Sequence, residues 1–210
     1  MEVLAAIVTG YVLGSIPIGL IVSRLLGGVD VRDYGSGKTG FTNSLRVLGL
    51  KRSLPVFLGD LIKGAAAASL PLLYSDDPWA RAAGGLAAVI GHVWPVFAGF
   101  RGGRGVLTGV GVLFALSPIG ALAAAPIALL AFLATRIMSV TSISGASAAA
   151  IAFVALAAVD FHPWAYAVAA LAGACLIIAV HHDNIARLRA GTEPKVGRGG
   201  SRRAEPAARP

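Results

Sequence analysis

The chain has 210 residues, of which 56% are hydrophobic and only 13% charged, and its mean hydropathy is +0.77. A soluble domain covers its surface with about a quarter charged residues, so a water-facing globule is excluded. The 18 Lys and Arg exceed the 10 Asp and Glu, for a net charge of +8. These bases are interleaved with apolar runs of membrane length, which argues against nucleic-acid binding and for a polytopic membrane protein with one basic face.

The first apolar run covers 3–26, follows Glu2 and leads into Ser23-Arg24-Leu25-Leu26. It is too long for a signal peptide and lacks the basic start, so it reads as a retained transmembrane helix kinked at Ile16-Pro17. Further runs lie at 53–74, 79–99, 106–135, 138–159 and 163–181. About 20 apolar residues cross about 30 Å of hydrocarbon, and 106–135 exceeds that need.

Charge decides the number of crossings, because Lys and Arg near span ends favour the cytoplasmic side. Arg24, Arg32, Lys38, Arg46, Lys51 and Arg52 follow the first run, and Arg101 and Arg104 come two spans later. Keeping the basic segment from Arg187 onward on the same side requires 106–135 to break, and Ser117-Pro118-Ile119-Gly120 is the place for it. The expected fold is all-α, with seven transmembrane helices, the N-terminus outside and the C-terminus cytoplasmic. Every Lys and Arg except Lys63 and Arg81 then lies at the cytoplasmic end. A six-helix alternative loses that agreement. The short helix before Ser117 has to be buried among its neighbours. The expected organisation is a single transmembrane catalytic domain over 1–194 and a basic, disordered cytoplasmic tail over 195–210. Cys175, alone in an apolar run, reads as a small packing residue. No repeat of 20–50 residues is visible, which weakens an inverted-repeat transporter.

Three loops carry the chemistry. In Gly35-Ser36-Gly37-Lys38-Thr39-Gly40-Phe41-Thr42-Asn43-Ser44-Leu45-Arg46, the glycines let backbone N–H groups turn toward an anion. Hydroxyls and an amide add donors, and Lys38 and Arg46 add charge. These are the requirements for holding a phosphate. The string satisfies G-x-G-x-x-G, but no strand precedes it, so a dinucleotide fold is rejected. A Walker A loop needs glycine where Arg32 stands. The alternative is a merely flexible membrane loop.

The second loop, Phe100-Arg101-Gly102-Gly103-Arg104-Gly105, follows Gly91-His92-Val93-Trp94-Pro95-Val96-Phe97. Two arginines separated by two glycines can converge on one anion, or can serve only as topology signals. His92, in an apolar helix, reads first as a structural hydrogen-bonding partner. In the third, His181-His182-Asp183-Asn184-Ile185-Ala186-Arg187-Leu188, before Gly191-Thr192-Glu193, helical spacing puts His181 and Asn184 on one face, which binds a polar ligand or, taken alone, reads first as an anchor at the interface. Asp60 and Lys63 can pair on a helix face within the second span. Ser139, Thr141, Ser142 and Ser144 begin the sixth helix, where hydroxyls cap the helix or bind phosphate. The topology, derived only from charge and span length, places the three loops and the Ser/Thr cluster at one end of the bundle.

At these residues the chain resembles the acyl-phosphate-dependent glycerol-3-phosphate acyltransferase family of bacterial membranes (PlsY). The resemblance covers about 10–195. It rests on Gly14-Ser15-Ile16-Pro17, Asp33-x-Gly35-Ser36-Gly37, Thr42-Asn43-x-Leu45-Arg46 and Asp60-x-x-Lys63-Gly64. It continues through Gly91-His92-x-x-Pro95-Val96-Phe97, Gly102-Gly103, Ser139-x-x-Ser142-Ile143 and His181-x-x-Asn184-Ile185-x-Arg187-Leu188. Arg101 and Arg104 stand where the family usually has lysines, and Lys38-Thr39 and Phe41 replace commoner Asn and Ala.

The resemblance implies an enzyme of the bacterial inner membrane with its active site facing the cytoplasm. It would move an acyl group from acyl phosphate to the 1-hydroxyl of glycerol 3-phosphate, the first acylation of phospholipid synthesis, giving lysophosphatidate and inorganic phosphate. It implies that Ser36, Arg46, Arg101, Gly102, Gly103, Arg104 and Asn184 bind glycerol 3-phosphate. Thr39, Gly40, Thr42 and Asn43, with Ser142, would hold the acyl phosphate, and Gly37 and Lys38 would also bind substrate. His181, Asn184 and Ser36 would serve catalysis, with His181 orienting or supporting the site. The implied partners are the two substrates, the lipid bilayer and the soluble enzyme that makes acyl phosphate; no cofactor, metal or nucleic acid is expected.

The residue chemistry suits that substrate pair. Acyl phosphate is already activated, so positioning two anions and stabilising the leaving phosphate suffices without a covalent nucleophile. His92 and His181 are both candidates for a general base, and a substrate phosphate oxygen is the third acceptor for the hydroxyl proton. Acyl-CoA enzymes commonly carry H-x-x-x-x-D, which none of the four histidines begins. CDP-alcohol phosphotransferases need an Asp-Gly that the chain lacks. A transporter of phosphorylated metabolites is the remaining rival, and its site belongs near the bilayer midplane.

Overall fold

Prolines and glycines cut the apolar sequence into helices. The computed structural model describes residues 1–196. Its α-helices are α1 (Glu2–Gly14), α2 (Ile18–Gly27), α3 (Phe41–Leu48), α4 (Leu50–Ser69), α5 (Pro78–Val93), α6 (Val106–Leu116), α7 (Pro118–Thr135), α8 (Met138–Ala158), α9 (Trp164–Ala179) and α10 (His182–Arg189). No strand occurs among the described residues. Of the tail expected over 195–210, all but Lys195 and Val196 lies outside the described residues. The Val196 amide donates to the Arg136 carbonyl at 2.9 Å, tying the segment after α10 to the end of α7.

Each expected apolar run is helical. Glu2–Gly27, Leu50–Leu73, Pro118–Thr135 and Met138–Ala158 are long and apolar enough to cross a membrane. Trp164–Ala179 with His182–Arg189, bent by 55°, passes the same test as a pair. α5 and α6, at 16 and 11 residues, are shorter. The run expected over 79–99 stops being helical at Val93. Trp94 precedes Pro95, which disfavours helical backbone at the residue before it, and Trp94 takes φ −123° and ψ 71°. The break within 106–135 falls at Ser117, which is extended and whose hydroxyl accepts from the Gly120 amide at 3.3 Å to start α7. α6 is enclosed as its length requires, with only Phe114 exposed along it.

Small residues bring the helices together. A Cβ on Gly10 of α1 would overlap the Gly84 carbonyl of α5, and one on Gly64 of α4 would overlap the Thr108 carbonyl of α6. In lipid, where apolar burial drives little association, such backbone contact is a main source of helix packing. Cys175 is exposed on α9 rather than packed inside, because Ala174 and Ile177 occupy the inward face.

Buried charges complete the frame. Lys63 Nζ lies 2.9 Å from Asp60 Oδ1, the expected pair on one face of α4. It also donates at 2.9 Å to the Ile16 carbonyl in the break between α1 and α2. Backbone freed at a proline inside lipid must find a partner, and here Lys63 supplies it. Arg81 on α5 has a matching role far along the chain. It donates to the Ala68 carbonyl near the end of α4, the Ala115 carbonyl near the end of α6 and the Tyr166 hydroxyl of α9.

Candidate active site

The first loop is held by one side chain. Asn43 Nδ2 lies 3.0 Å from the carbonyls of Val31, Tyr34 and Lys38, and its Oδ1 accepts from the Ser36 amide at 3.0 Å. Asn43 is buried on α3, so its amide acts as the hub around which residues 31–43 curl. Asp30 braces the entry to the loop, accepting from Arg32 at 2.7 and 2.9 Å and from Arg24 at 2.9 Å. The Arg32 guanidinium holds the Asp30 carboxyl far below the usual carboxylate range. Phe41 packs edge-on against Phe57 of α4, with ring centroids 5.4 Å apart.

The second loop rests on His92. The Gly103 amide donates to the His92 carbonyl at 3.1 Å, and a Cβ on Gly103 would overlap His92 Nε2. Only glycine permits this approach. The imidazole is backed in turn by Asp60 Oδ1, 3.4 Å from His92 Nδ1. The Thr39 amide donates to the Gly102 carbonyl at 3.4 Å, which joins the first loop to the second.

The third segment is a carboxylate-centred network. Glu193 Oε1 accepts from Asn184 Nδ2 at 2.6 Å and from the Ser139 hydroxyl at 2.8 Å, and Oε2 accepts from Arg187 Nε at 2.7 Å. Burial alone would raise the Glu193 carboxyl, but these donors outweigh it and hold the group below its ordinary value. His181 Nδ1 lies 2.7 Å from the Ile177 carbonyl. A carbonyl only accepts, so Nδ1 carries the hydrogen, and in the neutral ring Nε2 is the acceptor.

These parts enclose one cavity of about 150 Å³. Ser36, Lys38, Gly40, Thr42, Asn43, Arg46, Arg104, Ser142, His181 and Asn184 line it, together with Asp60, His92, Ser139 and Glu193. The N-terminal residues of α3, α6, α8 and α10 all reach it, and none of these four helices has a side-chain cap. Their unpaired N–H groups and aligned dipoles favour an anion. Inside the cavity wall, Arg46 Nε, Arg104 Nε and Asn184 Oδ1 are buried without a hydrogen-bond partner among the described residues. Burial lowers the Arg46 pKa, and burial with the nearby Arg187 charge brings Arg104 down to about 10, so both remain cationic at neutral pH. Cations with buried, unused donors are what an anionic ligand would satisfy.

Five of the expected site residues contribute differently. Arg101 is exposed and absent from the cavity wall, so the two arginines do not converge. Gly102 and Gly103 are turned onto His92 and leave Arg104 and Gly105 at the cavity. Thr39 and Gly37 also lie off the wall: Thr39 is buried at the loop junction, and Gly37 turns the chain with φ +69°. Glu193 was not among the expected site residues, although it is one of only two carboxylates in the basic segment from Arg187 onward and so carried a signal. Phe57 and Met138 also line the cavity, and nothing in their sequence context set them apart from other apolar residues. No group of three or more His, Cys, Asp or Glu placed to hold a metal ion occurs among the described residues.

A second, apolar cavity of about 330 Å³ adjoins the first. Val106, Leu107, Met138 and Ser142 line both.

Comparison with known proteins identifies the family. The sequence profile of the family described as glycerol-3-phosphate acyltransferase matches residues 4–191. The glycerol-3-phosphate acyltransferase of Halalkalibacterium halodurans is 40% identical over 194 residues, covering 91% of this chain and 94% of that protein. That of Exiguobacterium sibiricum is 43% identical over 197 residues, covering 94% and 95%. The crystal structure of PlsY, an integral membrane glycerol 3-phosphate acyltransferase, in its glycerol 3-phosphate form superposes with a TM-score of 0.83 at 38% identity, covering 93% of this chain and 96% of that one. The lysophosphatidic acid form gives 0.81 at 39% identity, covering 93% and 95%. The chain is thus a multi-pass integral membrane protein that belongs to the glycerol-3-phosphate acyltransferase family.

Proposed function

We propose that the protein transfers a fatty acyl group from acyl phosphate to the 1-hydroxyl of glycerol 3-phosphate, in a seven-helix arrangement with the site at the cytoplasmic face of the bacterial inner membrane. The observation that carries the reading is the adjoining pair of cavities, with Val106, Leu107, Met138 and Ser142 in both walls. One is polar, with half-buried Arg46 and Arg104 whose Nε atoms are buried and unpaired. The other is apolar, and Ser142 stands between them. A substrate with a phosphate head and an acyl tail fits that junction, with glycerol 3-phosphate beside the head.

In the transfer, the glycerol hydroxyl oxygen bonds to the acyl carbonyl carbon, and the carbonyl carbon–phosphate oxygen bond breaks. The hydroxyl proton leaves on a phosphate oxygen, which keeps the balance without a protein base. Arg46, Arg104 and the open helix N-termini stabilise the departing phosphate charge. His92 is set beneath the second loop against Asp60, which fits a supporting role. His181 is fixed by its Ile177 contact and orients substrate through Nε2. Asn43 holds the loop rather than the substrate. The topology follows the clustering of Lys and Arg around the polar cavity, with the Asp76-Asp77 loop at the opposite end. A transporter of phosphorylated metabolites is disfavoured because the cavity draws on helix ends rather than a midplane break.

Purified protein should convert hexadecanoyl phosphate and glycerol 3-phosphate to lysophosphatidate and leave hexadecanoyl-CoA unused. Turnover of the CoA thioester at a comparable rate would overturn the donor assignment. Uptake of glycerol 3-phosphate into proteoliposomes without acyl transfer would favour the transporter.

A further inference from the structure

Leu86, Leu107, Leu113 and Phe114 line one side of the apolar cavity, and the other side is built mostly from small side chains. Only Thr141 and Ser142 along it carry hydroxyls, and α7, α8 and α9 face it largely with alanine and glycine. Its width therefore depends on side chains that are missing. Gly173 on α9 is the clearest case. It lines the cavity, and a Cβ placed on it would meet no atom within 4 Å. Gly145, by contrast, already faces the Ala128 Cβ at 3.1 Å, and Gly109 faces Ile177 Cδ1 at 3.5 Å.

Depth separates these positions. Gly145 follows Ser142 by three residues, about 4.5 Å of helix, whereas Gly173 precedes His181 by eight, about 12 Å. Gly173 thus stands well away from the phosphate site, where only the distal part of a long acyl chain would reach. We propose that Gly173 is the specificity determinant for acyl-chain length, its lack of a side chain leaving room for the far methylenes of the acyl donor. The inference rests on the acyltransferase reading above and adds to it the residue that sets the substrate range.

The test compares hexadecanoyl and decanoyl phosphate as donors for wild-type protein, Gly173→Ala and Gly173→Leu. Each buried methylene displaced costs about fourfold in binding, so one displaced by Ala gives about fourfold and two displaced by Leu about 15-fold. The hexadecanoyl-to-decanoyl ratio of kcat/KM should fall in that order, while decanoyl transfer stays near wild type. An unchanged ratio in the variants that still transfer the decanoyl group would overturn the assignment. Gly173→Ala adds one methyl into open space and decides the matter if Gly173→Leu transfers neither group. Wild-type protein that transfers neither group would overturn the acyltransferase reading, and this inference with it.

Discussion

Asn184 Nδ2 donates to Glu193 Oε1 at 2.6 Å, joining α10 to the segment that follows it across the mouth of the polar cavity. The same contact turns the Asn184 amide so that its Oδ1 is left buried and unpaired. A carboxylate shared by Asn184, Ser139 and Arg187 therefore sets the presentation of a substrate-facing group.

Glu193→Ala removes three hydrogen bonds, two of them to neutral donors, and leaves Arg187 without its carboxylate. A loss of about 2–3 kcal/mol in stability is expected, measured as a lowered Tm in detergent. The pH dependence follows from the depressed carboxyl. A folded pKa below the unfolded one contributes stability above the unfolded value, near 4.5, and that stability disappears as pH falls through the folded pKa. Wild-type Tm should therefore drop more steeply than that of Glu193→Gln on acidification below about pH 4.5. Parallel curves would contradict the network.

Asn43→Asp and Asn43→Ala should be equally damaging, because the three carbonyl contacts come from the amide nitrogen and aspartate has none to give. Loss of activity of about tenfold or more is expected for both. A fully active Asn43→Asp would mean that the carboxamide oxygen alone shapes the loop.

The two arginines of the second loop should separate. Arg104→Ala leaves the departing phosphate without a charged donor, a loss of about 10- to 100-fold in kcat. Arg101→Ala, at an exposed position, should change it by less than about threefold. Equal losses would restore the convergent pair that the spacing suggests.

The histidines test the route of the proton. Both His92→Ala and His181→Ala should keep enough activity to exclude a protein base, losing less than about 10²-fold in kcat at saturating substrate, below the range a general base contributes. A larger loss in either variant, with Tm unchanged, would identify that histidine as the base.

Much of this site is legible in the chain itself. Glycine, hydroxyl and arginine strings mark the loops, and charge placement alone brings them to one end, where the cavity forms. The break at Ser117 is readable because proline and glycine follow it at once. What escapes reading is the use of single polar groups over long separations. Arg81 looks like a stray intramembrane charge, yet it serves carbonyls on α4 and α6, 13 and 34 residues away. Arg101 and Arg104 look equivalent, and only the seating of Gly103 on His92 distinguishes them. Asn43 looks like a ligand-binding amide because nothing local reveals three carbonyls converging on it.

The most direct test of the central claim is the coupling of phosphate release to acyl transfer. Direct attack by the glycerol hydroxyl predicts that purified protein given acyl phosphate alone releases no phosphate above the uncatalysed rate and carries no acyl group. Addition of glycerol 3-phosphate should then give one lysophosphatidate for each phosphate released. Rapid phosphate release without the acceptor, or an acylated protein isolated from that mixture, would contradict the account.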